Sequence, residues 1–323
     1  MSDLYDSTKY YTDYSNLSNT IEKYGVAIIP NLLDETECKN MESDMWDYLE
    51  YITQKWDIPI DRLNKSSWKL LDVLTTNSLL FEYWNIGHCQ MNWNLRQNSK
   101  ILNVFSKFWN VNPEDLITSF DGASFELLQK NTKSKAWFHT DHSYINSNFK
   151  NLQSWMTACD VSVGDATLVI LESSNLYHAE FANKFKITNP KDFYILNNDE
   201  LKYYTDRCIE KRISCPKGSL VLWDSRTIHY GIQSSDKKNI RCISYLCYIP
   251  RYMCSRNILE MKKYALENLE TTSHDPSICR FKPKTPYYDE NEDDVNEDDV
   301  NKFITKIKNP QLSDIGKRIS GLL

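Results

Sequence analysis

Between Ile117 and Pro250 the chain breaks into short β-like runs separated by turn residues: FDGASFELL, AWFHTDHSY, QSWMTACDV, ATLVIL, SLVLWD and CISYLCYI. Many short strands at such spacing are the pattern of an all-β sandwich or jelly roll. This stretch constrains the fold more than any other, and the flanks add helices to it. GVAIIP, Gly25 to Pro30, reads as a strand bounded by turn residues. Asp34 with Glu37 three residues on is a capping box, after which Cys38, Met41, Met45, Leu49, Ile52 and Trp56 recur at helical spacing, so a helix is expected from about Glu35 to Lys55. Further helices are expected near Lys100 to Trp109, from Arg256 to Leu269, and in the closing LSDIGKRISGLL. The polar segment Tyr177 to Ser214 has helical tendencies and is expected outside the β core. The fold class is therefore α+β, with a mainly β core and flanking helices.

The chain of 323 residues, 41% hydrophobic and 25% charged, is long enough for one substantial core. We expect a polar lead over 1–24, a single domain over 25–285 with a helical front part at 31–115 and a β core at about 117–250, an acidic disordered loop at 286–302, and a helical segment at 303–323. The net charge of -6 hints at a basic partner only until it is located. Asp289 to Asp299, within a tandem NEDDV repeat, carries eight acidic residues, and the remaining 36 acidic residues face 38 basic ones. A nearly neutral body gives no reason to expect nucleic-acid binding, and the 20 Tyr and 9 Trp lack the basic groove that base stacking requires. The absence of an 18-residue apolar run argues against a membrane span. The opening MSDLYDSTKYY matches neither a secretory signal nor an Arg-rich transit peptide. Nine cysteines without a CxxC pair fit buried thiols in a reducing compartment. Cytoplasmic residence is expected, with a nuclear location equally consistent. Oligomeric state is not legible.

The chemistry concentrates in WFHTDHSY. His139 and Asp141, two apart on an extended segment, project from the same face. An imidazole and a carboxylate so placed supply two adjacent metal ligands, and His229 in WDSRTIHYG supplies a third from a later strand. Two His and one carboxylate on one side, with the other positions open, suit non-haem Fe(II) that must bind a cosubstrate and O2. Arg241, opening a further strand, offers the rigid guanidinium that grips the far carboxylate of a dicarboxylate cosubstrate. Among the other histidines, His88 and His178 read as structural, and His142, on the opposite strand face from His139, as structural or substrate-lining. Ser225 and Arg226, beside the distal histidine, either position it or face substrate.

GVAIIPNLLDETEC, SFDG, the HxD of AWFHTDHSY, QSWMTACDV, GSLVLWDSRTIHYG and IRCISYLCYIPR together resemble, in order and spacing, the phytanoyl-CoA dioxygenase branch of the Fe(II)- and 2-oxoglutarate-dependent oxygenases, over about Gly25 to Arg251. The resemblance implies a double-stranded β-helix (jelly roll, cupin-like) with His139, Asp141 and His229 as iron ligands. It implies Arg241 on the distal carboxylate of 2-oxoglutarate, Trp155 lining the cosubstrate, and Gln153, on the same strand face as Trp155, as a further contact. It also implies hydroxylation of an unactivated C-H bond with release of succinate and CO2. Asp141 favours hydroxylation, because halogenating relatives leave that coordination position open for chloride. Two departures stand out: Gly231, where the family often has Ser, and Asp165-Ala166-Thr167-Leu168, where it has a Gly-x-Leu turn.

A small-molecule or acyl substrate is favoured, and a peptide or protein side chain remains open. An acyl-CoA would want basic residues for its phosphates, and Lys130, Lys133 and Lys135 are candidates, although a solvated loop explains them better. The alternative reading is a non-catalytic β-helix binding or assembly module whose site is degenerate or zinc-filled. An intact triad with Arg241 argues against it, because such a module has no physical need for all four.

Overall fold

The capping box forms as expected: Asp34 accepts from the amides of Thr36 and Glu37, Glu37 accepts from the amide of Asp34, and the helix runs Glu35–Thr53. The computed structural model describes residues 2–76, 78–127, 135–146, 148–236, 238–286 and 302–323. The NEDDV repeat and the lysines at 130 and 133 lie outside the described residues.

Eleven strands form two antiparallel sheets among the described residues: β1 Val26–Ile29, β2 Leu116–Thr118, β3 Ala123–Glu126, β4 His139–Asp141, β5 Leu152–Thr157, β6 Thr167–Leu171, β7 Phe193–Ile195, β8 Glu210–Arg212, β9 Leu220–Asp224, β10 His229–Ile232 and β11 Arg241–Pro250. The larger sheet runs β1-β9-β5-β11-β2, with β3 also paired to β11, and the smaller runs β7-β4-β10-β6-β8. With the helices at its flanks, this is the α+β jelly-roll architecture expected.

Period-two alternation explains why the strands of the larger sheet read as continuous apolar runs. Ala27, Ile29, Leu220, Leu222, Leu152, Met156, Cys242 and Leu246 pack outward into one core with Met41, Met45 and Leu49 of the long helix. Their neighbours Val26, Ile28, Trp155, Val221, Trp223 and Ile243 pack inward against Leu168 and Ile170 of the smaller sheet. Each strand is thus buried on both faces, and no polar face remains to mark it. The helices expected at 100–109 and 256–269 are found at Ser99–Trp109 and Arg256–Glu267, and the closing segment carries a helix at Asp314–Ile319.

One expectation is corrected. The segment 177–214 does not lie outside the β core, because β7 pairs with β4 and β8 pairs with β6, so it supplies both edges of the smaller sheet. These strands are three residues long and partly exposed, and they lack the apolar alternation that marks a strand in sequence. Helix His178–Phe185 leads into β7, and helix Asn198–Thr205, begun by a second capping box of Asn197 and Glu200, connects β7 to β8. No helix among the described residues is long and apolar enough to cross a membrane.

Candidate metal centre and cosubstrate pocket

β4 and β10 are neighbours in the smaller sheet, and their register sets His139 directly opposite His229. Both histidines are anchored in the same way. Nδ1 of His139 bonds the carbonyl of Trp137 at 3.1 Å, and Nδ1 of His229 bonds that of Thr227 at 2.9 Å, each two residues upstream. A carbonyl can only accept, so Nδ1 carries a proton in both rings, and in the neutral form of each ring it is Nε2 that keeps the lone pair. Both Nε2 atoms converge on one oxygen of Asp141, at 3.6 Å from His139 and 3.3 Å from His229. The ligand atoms of the three residues lie within 4.8 Å of one another. Two imidazoles and a carboxylate on one side of a point is the donor set of a divalent iron site with open positions. Burial raises the Asp141 carboxyl, but His274 and His139 beside it hold it well below the usual carboxylate range. Burial, then the charge of His139, lowers His229, which favours the neutral ring a metal needs.

Neighbouring turns fix the strand ends. The carbonyl of Ser225, in the WDSR turn after β9, accepts from the Asp141 amide at 3.2 Å and from Thr140 Oγ1 at 3.0 Å, which aims the Asp141 side chain. Thr227, whose carbonyl orients His229, donates its hydroxyl to the carbonyl of Gly25 at 2.9 Å. Gly25 has φ +76°, and a Cβ there would sit 2.5 Å from Thr227 Oγ1, so both conformation and contact require glycine. Ser225 thus positions the site from behind, and Arg226 pairs with Asp224 within the same turn.

The facing wall comes from the larger sheet. Gln153 Nε2 donates to Asp141 Oδ2 at 2.9 Å, so Gln153 orients the carboxylate of the HxD pair. Arg241, buried at the start of β11, donates from Nε to Ser124 Oγ at 2.6 Å and from Nη1 to the carbonyl of Ala166 at 2.8 Å. Ala166 belongs to the turn that departs from the family pattern. Asp165 in that turn accepts from the amides of Lys238 and Asn239 at 2.7 and 3.1 Å, tying it to the loop that leads into β11. The unusual turn therefore holds the guanidinium by its backbone. Trp155 and Tyr245 are cross-strand partners on β5 and β11, and both line the same cavity as the three candidate ligands and Arg241.

The cavity has the chemistry of a site for a chelating dicarboxylate. The indole N-H groups of Trp155 and Trp223 and the amide oxygen of Gln153 are buried without a hydrogen-bond partner among the described residues. Two unpaired donors beside a buried guanidinium, in a pocket that ends at a two-His, one-carboxylate cluster, fit 2-oxoglutarate and Fe(II).

The sequence reading missed several residues that line this cavity. Tyr245 and Trp223 were detectable, since Tyr245 shares the face of Arg241 at i+4 on one strand and Trp223 shares that of Val221. His274 was not, because it sits in irregular chain beyond the strand pattern, yet its Nε2 lies 4.0 Å from Asp141 Oδ2. Gly231 lines the cavity, where an added Cβ would meet the end of the Leu79 side chain at 2.9 Å. The remaining histidines have structural partners: His88 bonds the carbonyl of Glu270 at 3.0 Å, His142 bonds Ser225 Oγ and the carbonyl of Asn146, and His178 bonds the carbonyl of His142.

Comparison with known proteins agrees with this geometry. The chain is 23% identical over 273 residues, 81% of its length and 86% of the relative's, to Ava biosynthesis cluster protein O of Aspergillus versicolor. Its fold is shared by GlcNAc Inducible Gene 2, GIG2 (DUF1479), from Candida albicans, with TM-score 0.61 and 12% identity over 99% of this chain and 81% of the other. It is shared also by the Escherichia coli protein JW0805 solved at high pH, with TM-score 0.60 and 14% identity over 98% and 86%. Residues 21–241 match the family model described as Phytanoyl-CoA dioxygenase (PhyH), a span that holds the HxD, the distal histidine and the buried arginine. The chain therefore belongs to the phytanoyl-CoA dioxygenase family, and it is an Fe(II)- and 2-oxoglutarate-dependent dioxygenase that uses O2.

Proposed function

We propose that this enzyme hydroxylates an unactivated C-H bond of a small organic substrate, releasing succinate and CO2. His139, Asp141 and His229 hold the iron and Arg241 grips the distal carboxylate of 2-oxoglutarate. The observation that carries this reading is the convergence of both Nε2 atoms on Asp141 in a cavity whose far wall holds a buried, pre-oriented guanidinium. When bound, iron and 2-oxoglutarate supply the oxidising chemistry. The residues of this chain bind, orient and exclude water. Thr227 and Trp137 fix the imidazole tautomers, Gln153 and the Ser225 turn aim Asp141, and Trp155, Trp223 and Tyr245 form the walls beside the cosubstrate. Asp141 fills the third protein position, which favours return of hydroxyl over capture of chloride.

A small-molecule substrate is supported by the name of the Aspergillus relative, which refers to a biosynthesis cluster. All nine cysteines are free and most are buried, with burial raising their thiols, which supports residence in a reducing compartment such as the cytoplasm. The test is anaerobic titration of metal-stripped protein with Fe(II) and then 2-oxoglutarate, reading the metal-to-ligand charge-transfer band in the visible. The band is expected in the wild type and weakened in both His139→Ala and Arg241→Ala. Folded protein that never develops it would overturn the proposal.

A further inference from the structure

A ribbon that follows the last long helix lies beyond the residues matched to the family, yet it forms one wall of the site. Thr272 bridges Phe281, the Ser273 amide donates to the Arg280 carbonyl at 2.7 Å, and the Lys282 amide donates to that of Thr271 at 2.8 Å, giving two short antiparallel arms. The ribbon is fastened to the body. Thr272 exchanges hydrogen bonds with Phe120 at 2.9 and 3.0 Å, and Cys279 is buried beside Trp93 and Phe120. His274 is thereby held next to Asp141.

On the outer side of Asp141 a groove opens between this ribbon and the start of β7. Its lining includes Asp141, Lys191, Asp192, Phe193, His274 and Arg280. The carboxylates of Asp192 and Asp275 in the groove share Lys150, at 3.3 and 2.8 Å. Lys191 and Arg280 have no ion-pair partner among the described residues, and both are exposed. Counting Lys150 with the two carboxylates leaves one negative charge, which Lys191 and Arg280 exceed, and the charge of Asp141 would be offset by the iron it is proposed to hold. Phe193 is 45% exposed and its ring lies 5.0 Å from that of His139, so an apolar face runs from the cations toward the ligand cluster. A site with excess positive charge at its mouth and an apolar wall toward its reactive end selects amphipathic anions.

We propose that this groove takes the primary substrate, and that the substrate is an organic anion whose carboxylate or phosphate sits at Lys191 and Arg280. Its apolar portion lies along Phe193 and Ile278, bringing a C-H bond to the Asp141 side of the metal centre. The inference rests on the proposed function, because it takes Asp141 as an iron ligand.

The experiment uses anaerobic protein loaded with Fe(II) and saturating 2-oxoglutarate, so that the Arg241 pocket is filled. Probes of one chain length (octanoate, octyl phosphate, 1-octanol and octylammonium) are titrated by saturation-transfer NMR while the charge-transfer band is followed. Octanoate or octyl phosphate is expected to bind, with the tighter of the two identifying the head group, and octanol and octylammonium are expected to bind at least about tenfold more weakly. The Lys191→Ala, Arg280→Ala double variant should lose about tenfold in anion affinity with the band unchanged, and Lys263→Glu on the outer helix should stay within about twofold. Arg280→Glu should reverse the preference toward octylammonium. Octanol binding as tightly as the anions, variants that leave anion affinity unchanged, or no anion bound at its solubility limit would each overturn the inference. The band separates the two failures: a normal band without anion selectivity defeats this inference alone, while no band at all defeats the reading of the metal site.

Discussion

The two sheets that face each other across the cavity are built differently. The larger is wide and buried on both faces under the long helix, and it contributes Gln153, Trp155, Tyr245 and Arg241. The smaller carries the three candidate ligands on β4 and β10 and is edged by three-residue strands that are partly exposed. The wall proposed to take the cosubstrate is therefore set by a deep core, while the candidate ligand cluster is set by local clamps: two carbonyls behind the imidazoles and one turn behind Asp141. Gln153 joins the two halves through its bond to Asp141. Core packing gives rigidity without chemistry, and the clamped strand ends give chemistry on a lighter frame.

The largest effect is expected where the clamps hold the ligands. Asp141→Ala or His229→Ala should bring 2-oxoglutarate-dependent succinate release to background and erase the charge-transfer band, with the far-ultraviolet circular dichroism unchanged. A variant that keeps the band would show that the smaller sheet does not hold the metal. On the other wall, Arg241→Ala truncates a buried, hydrogen-bonded charge, a loss of about 2–5 kcal/mol, or roughly 30- to 4,000-fold in 2-oxoglutarate affinity. Iron binding in the absence of 2-oxoglutarate should change little. If both fall together, the two walls are not separable.

Gln153→Leu tests the link between them. Removing a residue that orients a ligand costs about 10- to 100-fold in metal affinity, so the effect should fall on Fe(II) binding although Gln153 belongs to the cosubstrate wall. Loss confined to 2-oxoglutarate affinity would instead assign Gln153 to the cosubstrate, as the family resemblance implies.

Much of this division was legible in the sequence. The HxD and the distal histidine stood out because extended chain places i and i+2 on one face, and the two strands of the pair carry recognisable turns. The larger sheet was legible because VAII, LVLWD and CISYLCYI are strongly β-forming. What was lost has a physical cause in each case. β7 and β8 are short and half-exposed, so hydrophobic periodicity could not find them within a segment of helical tendency. Gln153 was placed on the correct strand face, but its partner Asp141 is twelve residues away across a register that sequence does not give. His274 is held by backbone bonds to Phe120 and by a buried cysteine, neither of which leaves a periodic trace.

In acid the two halves should respond alike, each through one buried histidine, and less steeply than in catalysis. Burial pushes His88, under the larger sheet's helical front, and His178, behind the smaller sheet, each down to about 3. An unfolded histidine titrates near 6.5, so between about 6.5 and 3 the unfolded chain binds protons that the folded chain refuses. Each ring therefore contributes stability that is fully present above that window and falls by about 1.4 kcal/mol per pH unit as pH drops through it. His178→Gln should flatten the acid limb of denaturant-unfolding midpoints by one proton's worth, and so should His88→Gln. An acid limb untouched by either variant would show that neither ring is kept neutral by the fold.

The smallest effect probes how closely the smaller sheet approaches the cosubstrate. Gly231 lies two residues after His229 on β10, on the same face and in the same cavity, at the place where the family resemblance implies Ser. A Cβ there meets the end of the Leu79 side chain at 2.9 Å, a flexible group that can move aside, rather than backbone. The Gly231→Ser hydroxyl would then reach the cavity as one more donor. A single neutral hydrogen bond contributes about 0.5–1.5 kcal/mol, so 2-oxoglutarate should bind roughly 2- to 12-fold more tightly, with the metal affinity unchanged. Weaker binding would mean that Leu79 is held firmly and that the smaller sheet already closes on the cosubstrate. In that case the pocket would be shaped from both walls, and the division of labour between a rigid cosubstrate wall and a clamped ligand wall would have to be redrawn at β10.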